Sequence, residues 1–413
     1  MKIGIKLEKS GVDGFVSLRY SIAKSNFPMT SKTSQPNFNI SYFGSCSFSV
    51  PILEDISIHQ GQLLGDIAKK QFTKLSSKHK EFLNIEPEFW NELKKDSNVW
   101  SHKVLQKPIN LQVVVTKSAS TNRGKAFTNP IQEYCERKAI SWLSPNNLKD
   151  EFAIVKKFLK NTDIAIVASY GQIIPSIALA LSKYGYLNWH PSKLPEYRGP
   201  SPVQAAISNG DKVTALSWIA LVPQMDAGDI YFQDEVRIDK DDTFSDIIKK
   251  MALLGSQTWA MIAAIKVLEE QNSQEDSLLT TFAPRRQDFE KATITSKINK
   301  DKKFLDPEKF DAHTIYNHYR AFIEFPGSWL KIKYFGGYIK IIQILGVFDE
   351  EQFKNICKES ISLNHIKDLF IIKNKTQRLF IKCKHGYLEL SKICTPEGKG
   401  LNISGYNFND DAN

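Results

Sequence analysis

The sequence lacks what a stapled, nucleotide-cradling or membrane-anchored chain requires. Its five cysteines, at positions 46, 135, 357, 383 and 394, form no CxxC pair and no zinc-like spacing. An odd number of thiols in a 413-residue chain argues against a disulfide scaffold. It suits a reducing compartment, with the cysteines as small buried hydrophobes. Neither GxGxxG nor GxxxxGKS/T occurs, so no nucleotide cofactor is indicated. No metal site is expected. One uncharged stretch, Ile164 to Ser182, has the length of a membrane helix. Gly171, Gln172 and Pro175 interrupt it and its first half is β-branched. It reads as a buried strand, a turn and a short helix from Pro175, so no membrane partner is expected. Internal repeats and long low-complexity tracts are also missing.

Negative charge is in short supply: 55 Lys and Arg face 45 Asp and Glu, a formal +10. The surplus is uneven. Residues 1–37 carry +4, 38–56 carry −2 and 57–110 carry +3, whereas 111–290 stand at −1 and 291–413 at +6. A solvated lysine-rich surface is one reading. An acidic macromolecular partner held by the flanks is the other.

Residues 1–37 have no strong apolar period. Their run from Phe15 to Lys24 suggests a short basic amphipathic helix of the organelle-presequence type, although Glu8 and Asp13 are unusual there. A strand at Asn39–Phe43, a Gly44 turn and a helix near Pro51 make a β–loop–α start. Residues 57–106 read as a lysine-rich insertion with helical pieces near 61–76 and 87–95. Strands at 111–115, 164–168, 187–190 and 213–222 alternate with helical segments such as 130–139, which predicts a mostly parallel sheet. One long helical pattern runs over 243–270. Residues 283–303 are polar and charged, as in a linker. After a helix near 311–322, short β-rich runs suggest a small barrel. The expected division is a leader over 1–37, a catalytic domain over 38–290, a linker over 291–303 and a second domain over 304–413.

Two segments carry chemistry. In Asn188-Trp189-His190-Pro191 an extended chain sends Asn188 and His190 to the same side. They lie at the carboxyl end of a strand, where α/β proteins build their sites. An amide can donate to a developing oxyanion, and an imidazole can donate or move protons. A single histidine at a strand end is more often structural. In Met225-Asp226-Ala227-Gly228-Asp229 an acid precedes a small-residue turn; it is either a turn residue or a carboxylate that orients His190.

Together these segments resemble the 10-formyltetrahydrofolate-dependent formyltransferases, the methionyl-tRNA formyltransferase family most of all. The ordered set runs through Phe43-Gly44, Val50-Pro51-x-Leu53, Arg123-Gly124-Lys125, Ala168-Ser169-Tyr170-Gly171-Gln172-Ile173-Ile174-Pro175 and Asn188-x-His190. It continues through Tyr197-Arg198-Gly199-Pro200, Met225-Asp226-x-Gly228-Asp229 and Phe325-Pro326-Gly327-Ser328-Trp329. Each piece is weak alone, and the order and separations make the set specific.

The resemblance implies a Rossmann-like formyltransferase domain with a mostly parallel sheet, followed by a C-terminal OB-like barrel that helps hold tRNA. It implies catalysis by Asn188, His190 and Asp226. It places the formyl donor, 10-formyltetrahydrofolate, against Tyr170, Gly171, Gln172, Ile173, Ile174 and Pro175. It aims Arg123 and Lys125 at the acceptor end of initiator methionyl-tRNA. With the basic leader, it implies an enzyme of the mitochondrial matrix; a monomer is expected. Four departures stand out: the long 57–106 stretch, Ala215 where the family strand usually has Gly, Val222 where it often has an acid, and Trp189 in place of a smaller residue. The other readings are a relative acting on another amine or on water, and a non-catalytic RNA-binding relative.

Overall fold

A computed structural model describes residues 20–21, 36–78, 99–118, 121–122, 125–126, 129–272, 284–366, 369–374, 376–406 and 408. The rest of the leader, the helical piece expected near 87–95 and Arg123 lie outside these residues. The chain divides into two compact units. The first comprises 1–198, 215–236 and 248–293; the second comprises 199–214, 237–247 and 294–413.

Among the described residues ten strands run in chain order up to Arg237, lying in the first unit but for Val213, Thr214 and Arg237. They are β1 (Tyr20–Ser21), β2 (Phe38–Gly44), β3 (Ile109–Val115), β4 (Thr121–Asn122), β5 (Lys125–Ala126), β6 (Trp142–Leu143), β7 (Ile164–Ala168), β8 (Tyr186–His190), β9 (Val213–Ala220) and β10 (Ile230–Arg237). Eight of them form one sheet in the order β1-β6-β3-β2-β7-β8-β9-β10, while β4 and β5 pair separately. The central run β6-β3-β2-β7-β8 is parallel, and β9 joins it antiparallel. Strands buried on both faces need near-continuous apolar sequence, and Ile164-Ala165-Ile166-Val167-Ala168 supplies it with every residue buried. The expected strand, turn and short helix over 164–179 are present, the helix being Ser176–Leu179. This mostly parallel α/β sheet is the one expected from the sequence.

Strand order reverses direction between β2 and β7. Ligands of open α/β sheets lie outside the carboxyl ends of strands at such a switch point. The loops leaving these strands are tied together: Ser45 Oγ donates to the Tyr170 carbonyl, and Cys46 Sγ donates to the Ser169 carbonyl at 3.4 Å.

Two stretches depart from the sequence reading. The helix expected near 61–76 of the lysine-rich 57–106 segment is present as Leu64–Lys78, but it buries Leu64, Ile67, Ala68, Phe72 and Leu75. Its Gln71 Oε1 accepts from the backbone N–H groups of Ala260 and Met261 at 3.0 and 3.1 Å. That helix is therefore part of the core, with lysines on its open side. The single pattern over 243–270 is two helices, Phe244–Ser256 and Trp259–Asn272, with a 52° bend between them. At the break, Thr258 Oγ1 accepts from the indole N–H of Trp218 at 2.8 Å. Among the described residues no single helix is long and apolar enough to cross a membrane, and only this bent pair passes when taken together.

The second unit is rich in β structure. Its sheet includes Trp329–Ile332, the twelve-residue strand Gly337–Phe348, Leu369–Lys373, Gln377–Lys382 and Tyr387–Cys394. The long strand pairs with 329–332 along its first part and with 387–394 along its second. Register shifts fall between Ile341 and Gly346, and bulges of that kind bend a strand. Ile315, Leu330, Ile339, Leu379 and Leu388 fill one core. The helix Glu350–Lys358, absent from the sequence reading, starts in a capping box formed by Asp349 and Gln352. Its Phe353 stacks on Tyr387 with ring centroids 3.8 Å apart.

Candidate active site

Asn188 and His190 occupy the carboxyl end of β8, next to β7 and one strand from the switch point. Trp189 points to the opposite face. There its indole N–H donates to the Met251 carbonyl at 3.4 Å, and Gly255 leaves room for the ring: a Cβ at 255 would lie 2.6 Å from Trp189 Nε1. The large residue between Asn188 and His190 is thus absorbed by a glycine in the facing helix.

Asp226 reaches the same place from the loop between β9 and β10. Asn188 Nδ2 donates to Asp226 Oδ1 at 3.3 Å, and His190 Nδ1 lies 3.6 Å from that same oxygen. The loop is closed by Gly228, where a Cβ would meet the Ala220 carbonyl oxygen at 1.8 Å, so no larger residue fits. His190 Nε2 donates to the Tyr197 carbonyl at 3.1 Å. A carbonyl only accepts, so Nε2 carries a proton. Nδ1 then faces a carboxylate, an arrangement that is attractive when Nδ1 is protonated too. The His190 side chain is 5% exposed and that of Asp226 14%, a desolvated setting in which fixed dipoles act strongly.

Three non-glycine residues with positive φ stand on the loops that follow β7, β8 and β9: Ser169 (51°), Tyr197 (57°) and Asp226 (50°). Left-handed backbone costs L-residues energy and clusters where function needs it.

The three expected catalytic residues are therefore brought together. The segment 170–175 leaves β7 with divided roles. The Tyr170 ring is in the core and meets Phe43 edge to face at 5.4 Å. Burial raises its phenol well above the ordinary range. Gln172 is committed to the chain: its Oε1 accepts from Leu148 N at 2.7 Å and its Nε2 donates to the Pro145 carbonyl at 3.0 Å. Ile174 packs partly against the core and Pro175 caps the short helix. Gly171, with φ 78°, faces open space, Ile173 is 89% exposed and Ile177 is exposed too. An apolar, open ledge of this kind fits an aromatic ring system better than a phosphate. Lys125 lies on β5, which pairs with β4. Among the described residues no three His, Cys, Asp or Glu side chains gather as a metal site.

Sequence reasoning missed Gln287. It falls in the polar 283–303 stretch that reads as a linker, yet Arg285 exchanges backbone hydrogen bonds with Ile230 at 2.8 and 2.9 Å and Gln287 is buried. Thr293 also packs on the site loop, its Oγ1 accepting from Tyr197 N at 2.8 Å. These polar residues serve backbone groups of the site loops, which composition cannot distinguish from solvation.

The family described as Formyl transferase matches residues 99–265, and its C-terminal domain matches 297–408. The Thermotoga neapolitana methionyl-tRNA formyltransferase is 35% identical over 227 residues, covering 54% of this chain and 69% of that protein. The Ehrlichia chaffeensis methionyl-tRNA formyltransferase is 31% identical over 296 residues, covering 70% and 86%. The chain belongs to the methionyl-tRNA formyltransferase family. It is an enzyme of that family, with both of the family's domains. The match begins at residue 99, inside the long 57–106 stretch, although β2 already stands at the centre of the sheet. Among solved structures, Aquifex aeolicus HypX in complex with tetrahydrofolic acid is 15% identical with a TM-score of 0.46, covering 71% of this chain and 46% of that protein.

Proposed function

We propose that this chain transfers the formyl group of 10-formyltetrahydrofolate to the α-amine of initiator methionyl-tRNA, in the mitochondrial matrix. The observation that carries the reading is the shared Asp226 oxygen, which gathers Asn188 and His190 at a strand end in a chain of this family.

The reaction forms a bond between the methionyl nitrogen and the formyl carbon and breaks the bond from that carbon to N10 of the folate. The amine loses a proton and N10 gains one. Asn188 supplies an amide donor to the developing oxyanion, worth about 3–4 kcal/mol in comparable acyl-transfer sites. His190 has both ring nitrogens engaged, but its 3.6 Å approach to Asp226 is beyond hydrogen-bond length and is the looser of the two. Contacts of this kind tighten once substrate is bound. The ring stays anchored on Tyr197 through Nε2–H, and a protonated Nδ1 is shared between Asp226 and the oxyanion beside it. Asp226 orients the His190 ring and takes the proton that the amine loses.

The exposed Ile173 and Ile177 beside Gly171 support the 170–175 segment as the ledge for the folate ring, with Gln172 bracing the segment from behind. For the tRNA, Arg123, Lys125 and the lysines of 331–340 and 373–384 are the phosphate contacts that the +6 of residues 291–413 favours. The matrix location rests on the +4 of residues 1–37. Of that leader, Tyr20 and Ser21 pair with Leu143 and Trp142.

The substrate is tested by offering labelled 10-formyltetrahydrofolate with methionyl-tRNA, with an aminosugar nucleotide and with water alone. Label on methionyl-tRNA only is the expected result; label on the sugar amine, or formate alone, assigns another reaction. A reporter fused to residues 1–37 reaches mitochondria on this reading and stays cytosolic if the location is wrong.

A further inference from the structure

Asp226 and His190 are joined a second time, through the protein behind them. The Gln287 side-chain amide donates to the Asp226 carbonyl at 2.8 Å and to the Gly228 carbonyl at 2.7 Å. Its oxygen accepts from Arg198 Nε and Nη2 at 3.0 and 2.7 Å. Arg198 directly follows Tyr197, whose carbonyl anchors His190 Nε2. The circuit thus runs from Asp226 through Gln287 and Arg198 to Tyr197 and His190, and back across the 3.6 Å contact. Both Tyr197 and Asp226 are left-handed, so each needs its surroundings to hold it. Gln287 and Arg198 are 5% and 7% exposed, and the Arg198 guanidinium is covered by the Phe289 ring at 4.6 Å.

A glutamine suits this position because it must donate on one side and accept on the other. One carbonyl it serves belongs to the residue that carries the carboxylate, and the other to Gly228 two residues on in the same turn. A shift of the turn by an ångström would move Oδ1 out of reach of Asn188 and His190 together. We infer that Gln287, braced by Arg198, is a positioning residue: it sets the Asp226 carboxylate against His190 without touching substrate. The inference rests on the proposed role of these two residues.

The test compares wild type with Gln287→Glu and Gln287→Met. Glutamate keeps the pairing with Arg198 but turns an acceptor toward two carbonyls. Methionine keeps volume and removes every bond. In methionyl-tRNA formylation, kcat of both variants falls about 10–100-fold while KM for each substrate stays within about threefold. Melting curves show folded protein at the assay temperature. Nitrogen-15 spectra of the His190 ring then show a changed Nδ1 environment in the folded variants. A kcat within about twofold of wild type in either folded variant overturns the inference, as do unchanged ring signals. If wild type formylates some other acceptor, the proposed substrate fails, while the ring spectra still decide the role of Gln287.

Discussion

His190 approaches Asp226 through Nδ1 and never through Nε2: Nδ1 stands 3.6 Å from Asp226 Oδ1, while Nε2 donates to the Tyr197 carbonyl. The ring is thereby fixed in orientation before substrate arrives. The nitrogen facing the carboxylate is the one left to answer it. Because Asn188 addresses the same oxygen, losing the carboxylate unsettles two donors at once.

Replacing Asn188 by Ala is expected to lower kcat about 10²–10³-fold with little change in KM, the usual cost of one oxyanion donor. Asp226→Asn is expected to cost more, about 10³–10⁴-fold, because the amide can present its N–H to the imidazole. Steady-state rates on methionyl-tRNA check both, and an Asp226→Asn variant that outperforms Asn188→Ala contradicts the shared-oxygen arrangement.

Gly255→Ala should destabilise the first unit. In an exposed helix the exchange gains about 1 kcal/mol. Here the added methyl meets the Trp189 ring at 2.6 Å and the Ile52 side chain at 3.0 Å, and overpacking of that kind costs about 1–3 kcal/mol. In a Trp189→Leu background the same substitution should be neutral or favourable. Denaturant melts of the four proteins measure the coupling. Equal costs in both backgrounds contradict the contact.

Three thiols should react slowly, Cys135 and Cys383 being buried and Cys46 half-buried. Burial, only partly offset by the bond to the Ser169 carbonyl, pushes the Cys46 thiol up to about 11. Burial likewise pushes Cys135 and Cys383 up to about 12. At pH 8 all three are neutral and poorly nucleophilic. Maleimide labelling followed by peptide mapping is expected to leave them unmodified in folded protein and to reach them in guanidinium. Rapid native labelling of Cys46 contradicts its packing.

Asp311 caps the helix Ala312–Phe322, accepting from Thr314 N at 2.7 Å, and that bond holds its carboxyl below the ordinary carboxylate range. A lowered folded value means that the unfolded chain binds the proton more readily. The cap therefore contributes fully above the ordinary carboxylate value, and its contribution is lost as pH falls through the lower folded value. Asp311→Ala is expected to cost about 1 kcal/mol near neutrality, with the gap to wild type closing in acid. Melts at pH 7 and in the acid range check it; a constant gap excludes the charged cap.

Among the parallel strands, β7 was legible as a continuous apolar run and β8 as a strand end stopped by Pro191. Strand spacing and a small-residue turn marked Asn188, His190 and Asp226 only as candidates; their grouping was what the resemblance to the formyltransferases implied. β10 was not legible, since its Gln233 and Asp234 are polar and buried: Gln233 Nε2 donates to the Leu194 carbonyl at 3.0 Å and its Oε1 accepts from Arg285 at 2.7 Å. The helix Leu64–Lys78 was read as insertion because its lysines outweigh its buried stripe. Gln287 left no mark, because one glutamine among charged neighbours looks the same whether it meets water or two carbonyls.

The central claim is that one carboxylate organises formyl transfer by Asn188 and His190. The direct measurement is single-turnover transfer of labelled formyl to methionyl-tRNA by wild type, His190→Ala and Asp226→Asn, with folding checked by melting. The account predicts label on the methionyl amine with wild type and rates lowered at least about 100-fold in both variants. Near wild-type turnover by either folded variant would contradict it.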